Sequence, residues 1–211
     1  MTRDEAVVEI QEILSFRTDQ VAGIERRLQR AQVFAENGPT LPWFLQSERT
    51  SVSTIASEER LPIPIDFLKE AELSALWYVP TDTSEGEVEL VKDDLDFLRV
   101  KFPRTSEDVP THYALDNLYF RLFPTPDAVY SVKMIYNKKD TVLTSDIENL
   151  WLKHAPWVLI GRAGQWLAMA LRDKTAREIF ISLESEARLV LNIESEDRQH
   201  VNRRYQMGGG V

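Results

Sequence analysis

The sequence predicts an α+β protein: mainly a helical bundle, with a small antiparallel β-sheet inserted in it and a flexible C-terminal tail. Three observations predict this. Capped stretches with apolar residues at helical spacing occupy both ends of the chain. Prolines recur through the middle, at 42, 62, 64, 80, 103, 110, 124 and 126, with short β-prone runs between them. The last residues include three consecutive glycines and carry no periodicity. The bundle is expected over 1–40 and 141–201 as two N-terminal helices and a long C-terminal hairpin. The β-rich region is expected over 41–140 and the tail over 202–211.

The first helix follows from Thr2 and Glu5, which have capping-box spacing, and from Val7, Ile10 and Leu14 on one face. A second start falls at Thr18-Asp19. There Val21, Ile24, Leu28, Ala31 and Phe34 or Ala35 form the apolar stripe, with Arg26, Arg27, Gln29 and Arg30 solvated. Asn37-Gly38-Pro39 stops it. In the middle, strands are expected at Ser51–Ile55, Leu76–Val79, Val88–Val91, Tyr113–Leu115, Tyr119–Phe123 and Ala128–Tyr136. Asp116-Asn117 is a hairpin turn, and Ile65–Lys69 reads as one helical turn. No long helix separates these runs, which disfavours parallel pairing.

The C-terminal third opens on Ser145 and Glu148, again at capping-box spacing, with Ile147, Trp151, Ala155 and Val158 on one stripe. Pro156 either kinks that helix or starts a second one. From Trp157 to Leu171 the segment is apolar nearly all round, so it is buried on every side, by its own fold or by neighbouring subunits. Arg172–Thr175 is the hairpin turn. The last helix turns Ile179, Phe180, Leu183, Ala187, Val190 and Leu191 inward, with Glu184, Glu186, Arg188 and Glu194 on its other face.

The composition excludes several function classes. A net charge of −9 argues against sequence-independent nucleic-acid binding, which needs lysine and arginine to neutralise phosphates. The chain has no cysteine, which removes thiol nucleophiles, zinc ribbons and cysteine-ligated clusters. The charged start at Met1-Thr2-Arg3-Asp4-Glu5 is no signal peptide, and no window approaches the ~18 apolar residues of a membrane span. A soluble cytoplasmic protein is expected.

Enzyme chemistry finds no foothold. His112, His154 and His200 form no metal-ligand pattern. Gly-x-Ser-x-Gly, a phosphate loop and an EF-hand loop are all missing. The carboxylate clusters at Glu85–Glu89, Asp93–Asp96 and Ser182–Glu186 read as solvated faces, since catalytic carboxylates are framed by apolar groups. No catalytic residue, metal site or cofactor is expected. Gly161 and Gly164 lie inside a helical run and read as points of close helix approach. Two features remain. Trp151, Trp157 and Trp166 crowd one hairpin arm, so they and the two glycines are candidates for packing against a neighbouring subunit. Arg203, Arg204, Tyr205 and Met207 are residue types enriched where interfaces are anchored, which makes the tail a candidate docking segment.

The order of these features resembles the head-to-tail adaptor (connector) proteins of tailed phages. The resemblance is carried by the N-terminal helices ending near Phe34-Ala35-Glu36, by Leu41–Leu45, and by Leu61-Pro62 with Asp66–Leu68. It continues through Leu118–Pro126, the strand from Tyr130 to Tyr136 with Asp140 beyond it, Leu143-Thr144, Asn149–Leu152, the alanine-rich hairpin and Asn202–Tyr205. It spans nearly the whole chain. It implies a non-enzymatic virion protein that forms a homo-oligomeric ring, usually a dodecamer, bound to the portal on one side and to tail or nozzle proteins on the other. Double-stranded DNA would pass through the ring without specific binding. Assembly would take place in the host cytoplasm, with no membrane involved. The portal contact would fall on Arg203, Arg204, Tyr205 and Met207. A stopper or tail terminator, or a virion-associated hydrolase, is the alternative, and a helical content near one half favours the adaptor over the first two.

Overall fold

In a computed structural model the elements run α1 (Arg3–Ile13), α2 (Val21–Glu36), β1 (Thr50–Ser53), β2 (Arg60–Pro62), β3 (Phe67–Glu70), β4 (Leu76–Val79), β5 (Val88–Glu89) and β6 (Val91–Lys92). There follow α3 (Leu95–Lys101), β7 (His112–Asp116), β8 (Tyr119–Phe123), β9 (Ser131–Met134), β10 (Tyr136–Lys138), α4 (Leu150–His154), α5 (Pro156–Leu171) and α6 (Lys174–Met207). Single 3-10 turns lie at Thr18–Gln20 and Trp43–Leu45. The structure describes residues 1–39, 41–46, 50–70, 75–81, 86–103, 106–145 and 147–207, and their side chains except at 50 and 199–207.

The expected class, a mainly helical bundle with one small sheet and a loose tail, is overturned. Among the described residues there are six helices and ten strands in three sheets, 47 % helical and 21 % strand. Residues 202–207 are not a loose tail either, because α6 continues to Met207. The chain divides into two compact units, Met1–Leu45 with Lys139–Val211, and Gln46–Lys138.

The first unit is helical. Thr2 caps α1 in both senses: the Glu5 amide donates to Thr2 Oγ1 at 3.2 Å, and the Thr2 amide donates to Glu5 Oε2 at 2.8 Å. Arg3 reaches Glu25 at 3.1 Å and ties α1 to α2. Ala6, Ile10, Ile24, Leu28 and Ala31 are buried between these helices and α5. Near the C-terminal end of α2 a polar knot holds the returning chain. Gln32 Nε2 donates to Glu36 Oε1 (2.9 Å) and the Thr141 carbonyl (3.1 Å), and the Asp140 amide donates to Glu36 Oε1 (3.1 Å). Asn149 joins the knot through Nδ2 to the Thr141 carbonyl at 2.7 Å, and its Oδ1 caps α4. The helix therefore starts at Asn149, not Ser145, and Ile147 stays exposed. α4 ends at His154, and α5 begins at once with Pro156 in its first turn, where its missing N–H costs nothing. At the far end Arg172 takes a left-handed conformation (φ 58°), and Asp173 accepts the Ala176 amide at 3.0 Å to open α6.

The second unit is built on β strands. Its sheets run β1-β9-β4-β5, β2-β8-β7-β6 and β10-β3. Three sheets arise where one was expected because two apparently continuous runs change partner midway. Val88–Val91 divides at buried Leu90: β5 pairs with β4, whereas β6 pairs with β7. Ala128–Tyr136 divides at Ile135, whose amide donates to the Ala75 carbonyl at 2.9 Å, and β10 then pairs with β3. That second pairing also makes Phe67–Glu70 a strand instead of the expected helical turn. β6 and β7 are parallel, contrary to the expected antiparallel sheet, and α3 makes the crossover. Asp94 caps α3 by accepting the Asp96 and Phe97 amides. Leu61, Leu76, Leu90, Tyr113, Phe120, Val132, Met134 and Tyr136 form one core shared by all three sheets. Buried Arg121 is neutralised by Glu59 and by Asp116 at 2.9 Å.

Candidate functional site

The α5–α6 hairpin is the most closely packed part of the helical unit. A Cβ on Gly161 would stand 2.7 Å from Glu184 Cβ, and one on Gly164 would stand 2.3 Å from the Phe180 ring. Glycine at both positions is therefore a steric requirement of α6 in this same chain. Between the glycines the interface is polar. Glu184 is buried and accepts from Arg162 (2.7 Å), Gln165 (2.7 Å) and Arg188 (2.7 Å). Sequence reasoning put Glu184 outward because it is charged, although it lies four residues from Phe180 and so on the same helical face. Arg162 also lies over the Phe34 ring of α2, at 4.5 Å.

The three hairpin tryptophans sit in different surroundings. Trp151 is fully buried and meets Phe44 edge-on at 5.2 Å. Trp166 is half-buried and meets Phe34 edge-on at 6.0 Å, and Trp157 is half-buried. Beside Trp151 lies an aromatic box that the sequence did not reveal. Trp43, Phe44 and His154 stack or meet edge-on at 4.9 to 5.7 Å, and the Arg198 guanidinium sits 3.5 Å above Trp43. Partial burial and the neighbouring Lys153 and Arg198 charges hold the His154 pKa below its usual value. Arg203, Arg204, Tyr205 and Met207 lie on the last turns of α6, and their side chains are outside the described residues, as are residues 208–211.

Two outward faces of this unit differ in charge. α2 exposes Arg26, Arg30, Val33 and Phe34, and α6 exposes Glu178, Glu186, Leu189 and Ile193. In the β unit, His112 is bonded to Thr111 Oγ1 (2.8 Å) and Lys101 Nζ (2.9 Å), and burial lowers its pKa. A small pocket of about 120 Å³ there is lined by Glu59, Arg99, Phe102, Pro103, Phe123 and Thr125. Its carboxylate is engaged with Arg121, so it offers no base beside a nucleophile. Among the described residues no three His, Asp or Glu side chains cluster as metal ligands, and no helix is long and apolar enough to cross a membrane.

What the hairpin, the aromatic box and the outward faces share is packing chemistry, and comparison with known families agrees. The SU10 adaptor protein family matches residues 1–203. The chain belongs to this family. It is a family of phage head–tail adaptors, structural components of the virion. No curated protein matches the chain.

Proposed function

We propose that this adaptor forms a ring, dodecameric by the resemblance of its sequence, beneath the portal, joins the portal to the tail or nozzle proteins, and continues the DNA channel. The family match over residues 1–203 carries the reading. Three features support it. A helical share of 47 % favours an adaptor over a stopper or tail terminator. Large apolar side chains are left in water on helix faces of the first unit, among them Val33, Phe34, Met169, Leu189 and Ile193. The charge is also uneven, since residues 46–138 hold 17 acidic and 10 basic residues, −7 of the total −9. A channel lined by that unit would repel the DNA backbone and let it pass.

In this reading assembly takes place in the host cytoplasm and the finished ring sits at the head–tail interface. Arg203, Arg204, Tyr205 and Met207 dock on the portal, and Trp157 and Trp166 reach neighbouring subunits. Purified adaptor and portal should co-migrate and give a stacked double ring in negative-stain images; mixtures that never co-migrate would sink the reading. Deleting residues 202–211 should weaken portal binding at least about tenfold, a loss of some 1.4 kcal/mol, with the circular dichroism of the remaining fold retained. An unchanged affinity would remove that segment from the mechanism.

A further inference from the structure

The two exposed faces of the helical unit form a complementary pair. On α2 the outward positions are Arg26, Arg30, Val33 and, at the flank, Phe34. Neither Arg26 nor Arg30 has an ion-pair partner among the described residues, and the pKa of Arg27 between them is lowered first by its burial and then by their two charges. On α6 the outward positions are Glu178, Glu186, Leu189 and Ile193, with Glu196 one turn on. One face thus carries two arginines followed by an apolar patch, and the other carries carboxylates on either side of an apolar patch. Each would be costly to leave in water or to set against its own kind.

Their placement matters as much as their charge. α5 packs on both α2 and α6. It meets α6 through Gly164 and α2 through Trp166, two positions about 200° apart around a helix. α2 and α6 thus meet different sides of α5, with Arg162 reaching both, and no ion pair joins Arg26 or Arg30 to Glu178 or Glu186 within one copy among the described residues. One copy does not satisfy both, and a two-fold dimer formed through either face alone would set that face against itself. A repeating head-to-tail contact satisfies every face.

We propose that the occupant of the α2 face is the α6 face of a second copy of this chain, so that Arg26 and Arg30 meet Glu178 and Glu186 of the neighbour around Val33, Phe34, Leu189 and Ile193. This rests on the ring reading above and names its subunit interface. Two double variants test it: Arg26→Glu with Arg30→Glu, and Glu178→Lys with Glu186→Lys. The first carries two acidic faces and the second two basic faces. Each alone, incubated with portal and weighed by mass photometry, should lose ring formation more than tenfold relative to the unsubstituted chain. An equimolar mixture should recover it, because alternating copies restore every contact, and that recovery also shows that both variants are folded. If the unsubstituted chain forms rings and both variants form them equally well, the interface is overturned while the ring stands. If each variant fails and the mixture also fails, the pairing of these two faces is overturned. If the unsubstituted chain forms no ring with or without portal, the ring reading falls and this interface with it.

Discussion

Two residues carry most of the specificity of the α5–α6 contact, and they do so by opposite means. Gly164 works by absence, since any Cβ there would overlap Phe180. Gly164→Ala should destabilise the fold by about 1–3 kcal/mol in chemical denaturation, despite the helix-propensity gain of ~1 kcal/mol. Gly23→Ala is the contrast. Its nearest neighbour is the end of the flexible Arg27 side chain at 3.1 Å, so it should be neutral or stabilising by up to ~1 kcal/mol. A destabilised Gly23→Ala together with a neutral Gly164→Ala would show that steric fit at these positions does not set stability. Glu184 works by charge. It is buried and holds Arg162 and Arg188 at once. Glu184→Ala strands both guanidiniums, and a loss of about 3 kcal/mol is expected in the same assay. The glycines were legible in the sequence as points of close approach. The buried carboxylate was not, because a charged side chain is ordinarily solvated, and here three hydrogen-bonded partners from two helices replace water.

At the scale of elements, what could be read was whatever is encoded locally. The Thr2 capping box forms both of its hydrogen bonds, and β4 occupies Leu76–Val79 as its β-branched and aromatic run predicts. What could not be read depends on distant partners. β5 and β6 are one run in the sequence and belong to two sheets in the fold, and nothing within Val88–Lys92 says which neighbour each half will find. α3 is masked in the sequence by the acidic cluster Asp93–Asp96, although Asp94 followed by Leu95 and Leu98 is an N-cap followed by an apolar stripe. The aromatic box was hidden for the same reason as the sheets: Trp43, His154 and Arg198 are separated by more than forty residues at each step. It touches α6 beyond the end of its hairpin partner, since α6 has 34 residues against 16 in α5. Arg198 is exposed, so Arg198→Ala removes a cation–π contact worth ~0.5–1 kcal/mol. Amide exchange in residues 192–198 should then quicken about two- to fivefold. Unaltered exchange would mean that the box does not restrain the helix.

For the whole molecule the uneven charge is the property with the plainest outcome. Most of the net negative charge lies in residues 46–138, and carboxylates hold no DNA phosphate. The purified protein should leave duplex DNA unretarded in a gel at physiological salt. Replacing Glu87, Glu89, Asp93 and Asp96 with lysine should produce salt-sensitive retardation; retardation by the unsubstituted protein would contradict free passage of DNA. Membership of the adaptor family was legible in the order of weak features along the chain, whereas the balance of helix and strand was not, since most of the sheet pairings are long-range. The length of α6 has a mechanical side. A straight helix of 34 residues is about 51 Å long. A tilt of only about 5° at the hairpin would carry its far end through roughly 4 Å, about the width of one side chain. The Arg198 contact on Trp43 lies between that far end and Glu184, the buried α6 residue that ties the helix to Arg162 of α5, so it is the outermost restraint described on this lever.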